Sequence, residues 1–245
     1  MNMTKLYHCT DFESLLKILK SQAFHPSYCY ERAEYLVNPE DFAFAMVCFA
    51  DLLDGEVKHH LKKFNKDCYL QMNKEWAKKN GLSNVIYYNK ASVVATLLKN
   101  RINDIIKRAA KKAEELSNEI ISTSLLMAYF KQYEGNYWND KESRWSEQKS
   151  LFYTEREWRY IPIVQNSEAF YLSPEEFLNR DLRQMKRKEL IDNGYTLKFD
   201  WNDIEHIGVH SFKQWYKICK YLTTELNYNT IEVIKKVKIK RPRCI

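Results

Sequence analysis

The segment from Phe152 to Ile163 holds the densest candidate chemistry in this 245-residue sequence. Its residues alternate with the two-residue period of a strand. That period puts Tyr153, Glu155, Glu157, Arg159 and Ile161 on one face and Phe152, Thr154, Arg156, Trp158 and Tyr160 on the other. Two carboxylates two residues apart on a strand point the same way, roughly 7 Å apart, and Arg159 continues their row. Like charges that close raise one another's pKa unless a cation intervenes. One reading is a solvated strand face on which Glu and Arg pair, with little effect on stability. The other is a carboxylate fixed on a rigid element, which hydrogen-bonds a ribose hydroxyl and stabilises a developing oxocarbenium cation. His8 is the second candidate. It stands at a strand end directly before a capped helix, where small polar ligands are often held, and its bland reading is an ordinary strand-end histidine.

Other chemistries lack their residues. There is no GxxxxGK[ST], no GxGxxG and no HExxH, so phosphate-loop, dinucleotide-fold and zincin readings have nothing to stand on. His59 and His60 are adjacent and cannot both face one metal from a helix. The six cysteines are scattered without CxxC or metal spacing, and read as small hydrophobes in a reducing compartment. With 45% hydrophobic and 29% charged residues the composition is globular. No apolar run approaches the roughly 18 to 20 residues a bilayer requires, and the first residues lack the apolar stretch of a secretory signal. The expectation is a cytoplasmic protein.

The net charge of +7 is unevenly placed. Residues 231–245 carry Lys235, Lys236, Lys238, Lys240, Arg241 and Arg243 against Glu232, a net +5, which leaves +2 for the other 230 residues. Such a segment can bind the phosphates of a nucleic acid. Alternatively Val-Ile-Lys-Lys-Val-Lys-Ile-Lys is an edge strand whose lysines block edge-to-edge pairing.

The elements that position these residues follow from periodicity. A strand is expected over 4–9. A capping box, Thr10 with Glu13, then opens a helix containing Leu15, Ile18 and Leu19. An irregular aromatic loop is expected over 24–40, a buried strand over 43–49, a short helix over 51–64, and a strand over 67–72. A short helix closed by Gly81 and a strand over 83–88 follow. Residues 91–131, free of Gly and Pro, predict one long helix or two stacked ones. A loop at 132–148, the strand at 152–163, a helical stretch over 174–193, strands at 195–199 and 205–209, a helix over 211–222 and a final basic strand complete the chain. The sum is one α+β domain over 1–245 with a helical insertion at about 91–131.

The order of several pieces resembles a known family. They are Leu6-Tyr-His-Cys-Thr10, Leu15-Leu-Lys-Ile-Leu19, Ser27-Tyr-Cys-Tyr-Glu31, Met46-Val-Cys-Phe-Ala-Asp51, Lys74-Glu-Trp-Ala-Lys-Lys-Asn-Gly81, Val85-Ile-Tyr87, Glu155-Arg-Glu-Trp-Arg159 and Asp203-Ile-Glu-His-Ile-Gly-Val209. Over about residues 4–225 this is similar to the AbiGi family of abortive phage-resistance proteins, described as the antitoxin half of an AbiG-type pair. The HxT opening and late E-x-E-W-R also resemble a wider set of abortive-infection proteins with an ADP-ribosyltransferase-like fold. That resemblance implies a mixed sheet and NAD as cofactor. His8 and Thr10 would match the opening motif that holds the ribose, and Tyr28 or Tyr30 would pack on nicotinamide. Glu157 would drive cleavage of the glycosidic bond, Glu155 would orient the acceptor, and Arg159 would pair with the acids. Two functions are thereby implied. One is transfer of ADP-ribose from NAD to nucleic acid or protein. The other is a non-catalytic antitoxin that binds a toxin partner or nucleic acid. The catalytic version requires His8 and Glu157 to face one pocket.

Overall fold

The computed structural model describes residues 4–34, 36, 40–112, 117–163 and 170–239. Strand β1 (Lys5–Thr10) leads into helix α1 (Phe12–Ser21). The cap of α1 is Asp11 rather than Thr10: the Asp11 carboxylate accepts from Ser14 N at 2.8 Å, while Thr10 stays in the sheet opposite Cys68. A charged cap at the positive end of a helix satisfies its orphan amides. Residues 24–40, expected as a loop, contain strand β2 (Ser27–Ala33). It forms an antiparallel hairpin with β3 (Glu40–Leu52), in register from Ser27↔Met46 to Ala33↔Glu40. Each face of β2 mixes apolar and charged residues, Cys29 and Ala33 with Glu31 on one and Tyr28 and Tyr30 with Arg32 on the other, because Glu31 pairs with Arg159 and Arg32 with Asp41; it therefore lacks the polar–apolar alternation that would betray a strand.

Helix α2 (Val57–Lys63) is shorter than the expected 51–64, because Asp51 and Leu52 finish β3, whereas strand β4 (Cys68–Met72) and helix α3 (Lys74–Lys79) fall where expected. Gly81, at φ +75°, ends the α3 turn in a conformation other residues rarely adopt. The single strand expected over 83–88 is split into β5 (Ser83–Asn84) and β6 (Ile86–Tyr88), which join different ladders. Two helices follow, α4 (Val93–Lys112) and α5 (Ser117–Met127). They are tied by Glu119, which meets Arg101 at 2.5 Å and Arg108 at 2.7 Å. Strand β7 (Phe130–Gln132) then pairs in parallel with β6. The rest of the chain supplies β8 (Glu157–Tyr160), β9 (Tyr171–Leu172), α6 (Pro174–Leu178), α7 (Arg180–Asp192), β10 (Ile204–Val209), α8 (Phe212–Thr224), α9 (Thr230–Lys236) and β11 (Val237–Ile239).

The mixed α+β architecture is as expected. The main sheet runs β11-β10-β4-β1-β3-β8-β5, with β2 and β9 flanking the other end of β3. Strand β3, thirteen residues long, serves both halves. Its C-terminal half lies between β1 (Tyr7↔Ala50) and β8 (Glu157↔Ala50). On one side of the sheet Leu6, Phe49, Leu70, Met72 and Trp158 pack with Leu15 and Leu19 of α1 and Ile218 and Leu222 of α8. On the other side lie Tyr7, Ala50, Leu52, Val57 and Tyr69, and beyond them Phe42, Phe44 and Met46 with Leu98 and Ile102 of α4.

The basic C-terminus corrects the expectation of a strand through Val-Ile-Lys-Lys-Val-Lys-Ile-Lys. Val233 to Lys236 finish α9, whose cap Asn229 accepts from Ile231 N at 2.9 Å, and only Val237–Ile239 pair with β10. Lys236 is therefore not on a strand face with Lys238. Its ammonium donates to the Trp201 carbonyl at 2.7 Å and sits 4.5 Å above the Trp201 ring. Lys235 and Lys238 are exposed, and Lys240, Arg241 and Arg243 lie outside the described residues. Among the described residues no helix is long and apolar enough to cross a membrane.

Candidate functional site

The strand expected over 152–163 is shorter than its alternation suggested. Phe152–Glu155 form a 3-10 turn, Arg156 takes a left-handed φ of +44°, and the strand proper is Glu157–Tyr160. The turn is held by Thr154 Oγ1, which donates to the Leu151 carbonyl at 2.7 Å. Arg156 is fixed by bonds to the Asp51 carbonyl and the Glu56 carboxylate. Tyr153 is consequently exposed, whereas Glu155 is carried inward.

Glu155, Glu157 and Arg159 do come together, and none faces open solvent: they are 7%, 5% and 0% exposed. Each belongs to a row of alternating charge. Arg159 Nη1 and Nη2 donate to Glu31 at 3.0 and 2.5 Å, and its Nε donates to Glu157 at 2.8 Å. Lys131 donates to the other Glu157 oxygen at 2.5 Å and to Glu155 at 3.3 Å, and Lys63 completes the row at 2.8 Å from Glu155. Arg159 also donates to the Ala128 carbonyl. Three acids and three bases thus neutralise one another. Burial pushes the Glu157 carboxyl upward, but Arg159 and Lys131 outweigh it and hold the group well below the usual carboxylate range. Burial would discharge Lys131, yet Glu155 and Glu157 hold its ammonium well above the ordinary value.

This row forms the floor of a cleft of about 950 Å³. Its walls include Tyr7, Cys9, Tyr28, Tyr30, Trp138 and Phe152. Tyr30 stacks on Phe177 with ring centroids 4.4 Å apart and planes at 7°, and burial pushes its hydroxyl up to about 12. Tyr28 is more deeply buried, and burial likewise raises its hydroxyl. The volume falls within the range of small-molecule clefts.

His8 and Thr10 are placed elsewhere. In β1 it is Tyr7 and Cys9 that point into the cleft, so the two-residue period sends His8 and Thr10 to the opposite side of the sheet. The His8 ring lies 4.9 Å from Phe24 and 5.4 Å from Phe49, with Nδ1 2.9 Å from the Cys48 carbonyl. Burial lowers its pKa to about 4, against the opposing pull of that carbonyl, so the ring is neutral near pH 7. The convergence of His8 and Glu157 on one pocket is thus not what the sheet permits: Tyr7, not His8, shares the Ala50 row with Glu157.

Three members of the charged row were missed. Lys131 lies in β7, within the stretch expected to be helical, Lys63 ends α2, and Glu31 sits in the strand mistaken for a loop. Their partners lie 26, 92 and 128 residues away, and local periodicity carries no trace of such pairings. Among the described residues no group of three or more His, Cys, Asp or Glu is arranged to hold a metal ion.

Fold and site together define an α+β protein with an aromatic-walled cleft over a buried, self-neutralised charge row. Residues 22–210, over three quarters of the chain, match the family described as "Putative abortive phage resistance protein AbiGi, antitoxin". The chain belongs to this AbiGi family. It is also 25% identical over 218 residues to an abortive phage resistance protein AbiGi of Lactococcus lactis subsp. cremoris, covering 82% of this chain and 87% of that protein. No solved structure is significantly similar to the chain.

Proposed function

We propose that the chain is the antitoxin half of an abortive phage-resistance pair and that it works by binding a toxin partner rather than by transferring ADP-ribose. The observation that carries this reading is the engagement of Glu157. A carboxylate that stabilises an oxocarbenium ion must present unspent negative charge to the substrate, and both Glu157 oxygens are taken by Arg159 and Lys131. The position of His8 across the sheet supports the same reading, as does the antitoxin description of the family.

A second reading rests on the cleft itself, whose volume and aromatic walls suit a nucleotide such as NAD. Here Glu157 and Glu155 would act as the acids and Tyr28 or Tyr30 would pack on nicotinamide. One experiment separates the two. The purified chain, alone and with the toxin of its pair, is incubated with NAD beside the Glu157→Gln variant. Binding alone gives no NAD turnover in any arm, with growth rescued by co-expression. Turnover by the wild type that Glu157→Gln cuts by orders of magnitude, at a similar melting temperature, would sink the binding reading.

A further inference from the structure

The net charge of the chain has a sharper boundary than its last fifteen residues suggest. Residues 1–210 hold 30 basic and 30 acidic side chains, so the whole +7 belongs to residues 211–245. The family match stops at the same residue, 210. The first element beyond it is α8, and its two faces differ completely. Ile218, Cys219 and Leu222 are buried against the sheet. The outer face carries Lys213, Lys217 and Lys220 interleaved with Phe212 and Tyr216, and no acid occurs within the helix. Phe212 is 62% and Tyr216 57% exposed, unusual for rings of that size on a helix that also packs a core. They lie four residues apart, so about 6 Å separates them along the helix axis.

Helix α1 extends this surface. Lys217 sits over the Phe12 ring at 5.3 Å, and Lys20 over the Tyr221 ring at 5.7 Å. These contacts pair the start of α1 with residue 217 and its end with residue 221, so the two helices run side by side in the same direction. Lys17 is exposed on α1, one turn from Lys20. Three lysines of α8 therefore flank two exposed rings, of which Phe212 keeps one face stacked on Trp215 at 5.5 Å. Lys17 and Lys20 extend the basic surface onto α1, and Glu13, 4.0 Å from Lys217, is the acid among these contacts. The surface lies across the sheet from the aromatic-walled cleft and uses none of its residues.

We propose that the paired outer faces of α1 and α8 bind single-stranded nucleic acid, with Phe212 and Tyr216 stacking on bases and the five lysines following the phosphates. Interleaved rings and cations are what a single strand demands, because every base offers a flat face and every nucleotide a negative charge. A lipid surface demands an apolar helix face to insert, and the apolar face of α8 is already buried. A duplex hides its base faces and would leave the two rings unused. This inference stands apart from the antitoxin reading and from the occupant of the cleft.

The test uses the full chain and a labelled ten-nucleotide uridine oligonucleotide, read by fluorescence anisotropy between 50 and 200 mM salt. With five phosphate contacts the log–log slope of affinity against salt is about −3.5, and the triple variant Lys213→Gln, Lys217→Gln, Lys220→Gln flattens it by about 2. Tyr216→Ala weakens binding about 5- to 100-fold and leaves the slope unchanged. Lys58→Gln, Lys79→Gln, Lys107→Gln removes the same charge elsewhere and leaves affinity as it was. All these side chains are exposed, and unchanged melting confirms that each variant is folded. Four results would each overturn the proposal. They are no binding at 50 mM salt, equal loss in the control triple, tighter binding to a duplex of the same length, and preference for phosphatidylserine vesicles over the oligonucleotide.

Discussion

Replacing Arg159 by Met removes one cation from a closed row of six charges. Glu31, Glu155 and Glu157 then face only Lys131 and Lys63, and the unbalanced negative charge falls on Glu157 and Glu31, next to a side chain with no solvent exposure. Breaking a buried pair in this way costs about 3–5 kcal/mol, because the surviving charge keeps its desolvation penalty and loses its partner. For a chain of this length that corresponds to a fall in melting temperature of roughly 6–20 °C. Urea titration followed by tryptophan fluorescence and circular dichroism measures it. The double variant Arg159→Met, Glu157→Gln restores part of the loss, and the cycle returns a coupling energy of about 2 kcal/mol. Glu157→Gln alone is milder, since Arg159 keeps Glu31 and Lys131 keeps Glu155. Lys78→Met breaks an exposed pair with Glu75 and changes nothing measurable. If Arg159→Met behaves like Lys78→Met, the row is not a structural element and the argument drawn from its neutrality fails.

His8 gives the chain a pH dependence of its own. Its folded pKa of about 4 lies below the ordinary value near 6.5, so between those values the unfolded chain takes up a proton that the folded chain refuses. Its contribution, up to about 3 kcal/mol, is complete above pH 6.5 and is lost as pH falls towards 4. A stability difference between wild type and His8→Gln that stays constant from pH 7 to 4 would contradict this. Glu157, with its depressed value, acts only below the ordinary carboxylate pKa of about 4.3, so the two windows are separable. Gly208 lies opposite Tyr69, and a Cβ there would meet the Tyr69 ring at 2.1 Å. Gly208→Ala is therefore expected to cost about 1–3 kcal/mol in denaturant melts, and a neutral outcome would mean the ring moves freely. Asp11→Ala should cost about 1 kcal/mol and Thr10→Val, which removes the hydroxyl but suits a strand, less; a cost confined to Thr10→Val would return the cap to Thr10.

The parts of the fold that were legible are those whose pattern is local. Strands β1, β3, β4 and β10 and helices α1, α3, α4 and α8 follow from apolar spacing, Asn73 and Gly81 punctuate α3, and Gly-free composition marks the helical insertion. Strand β2 was not legible, because Glu31 and Arg32, paired with Arg159 and Asp41, put a charge among the apolar residues of each face and erase the alternation. At the site, the convergence of Glu155, Glu157 and Arg159 was readable from a two-residue period, although a 3-10 turn and not a strand delivers Glu155. Whether those acids are free or spent was not readable. That depends on Lys131, Lys63 and Glu31, which the chain brings in from three separate elements. Likewise the sequence puts His8 and Glu157 on strands, but the register of β1 on β3 sends them to different sides.

The double duty of β3 bears on the order in which the chain assembles. Ala50 must pair on one side with Tyr7 and on the other with Glu157, which is 107 positions further along. During synthesis at roughly 5–20 residues per second, β3 leaves the ribosome about 5–20 s before β8 can reach it. Strand β2 and strand β1 are already made, so one edge of β3 closes early. The other stays open, with its backbone amides and the rings of Phe44 and Phe49 uncovered on that flank. An open strand edge beside apolar side chains is the usual seed for intermolecular pairing. Slow elongation through residues 53–156, or a chain stopped before Glu157, should therefore send nascent protein into aggregates, whereas a pause late in the chain, once β8 and β9 have both left the ribosome and covered that edge, should not.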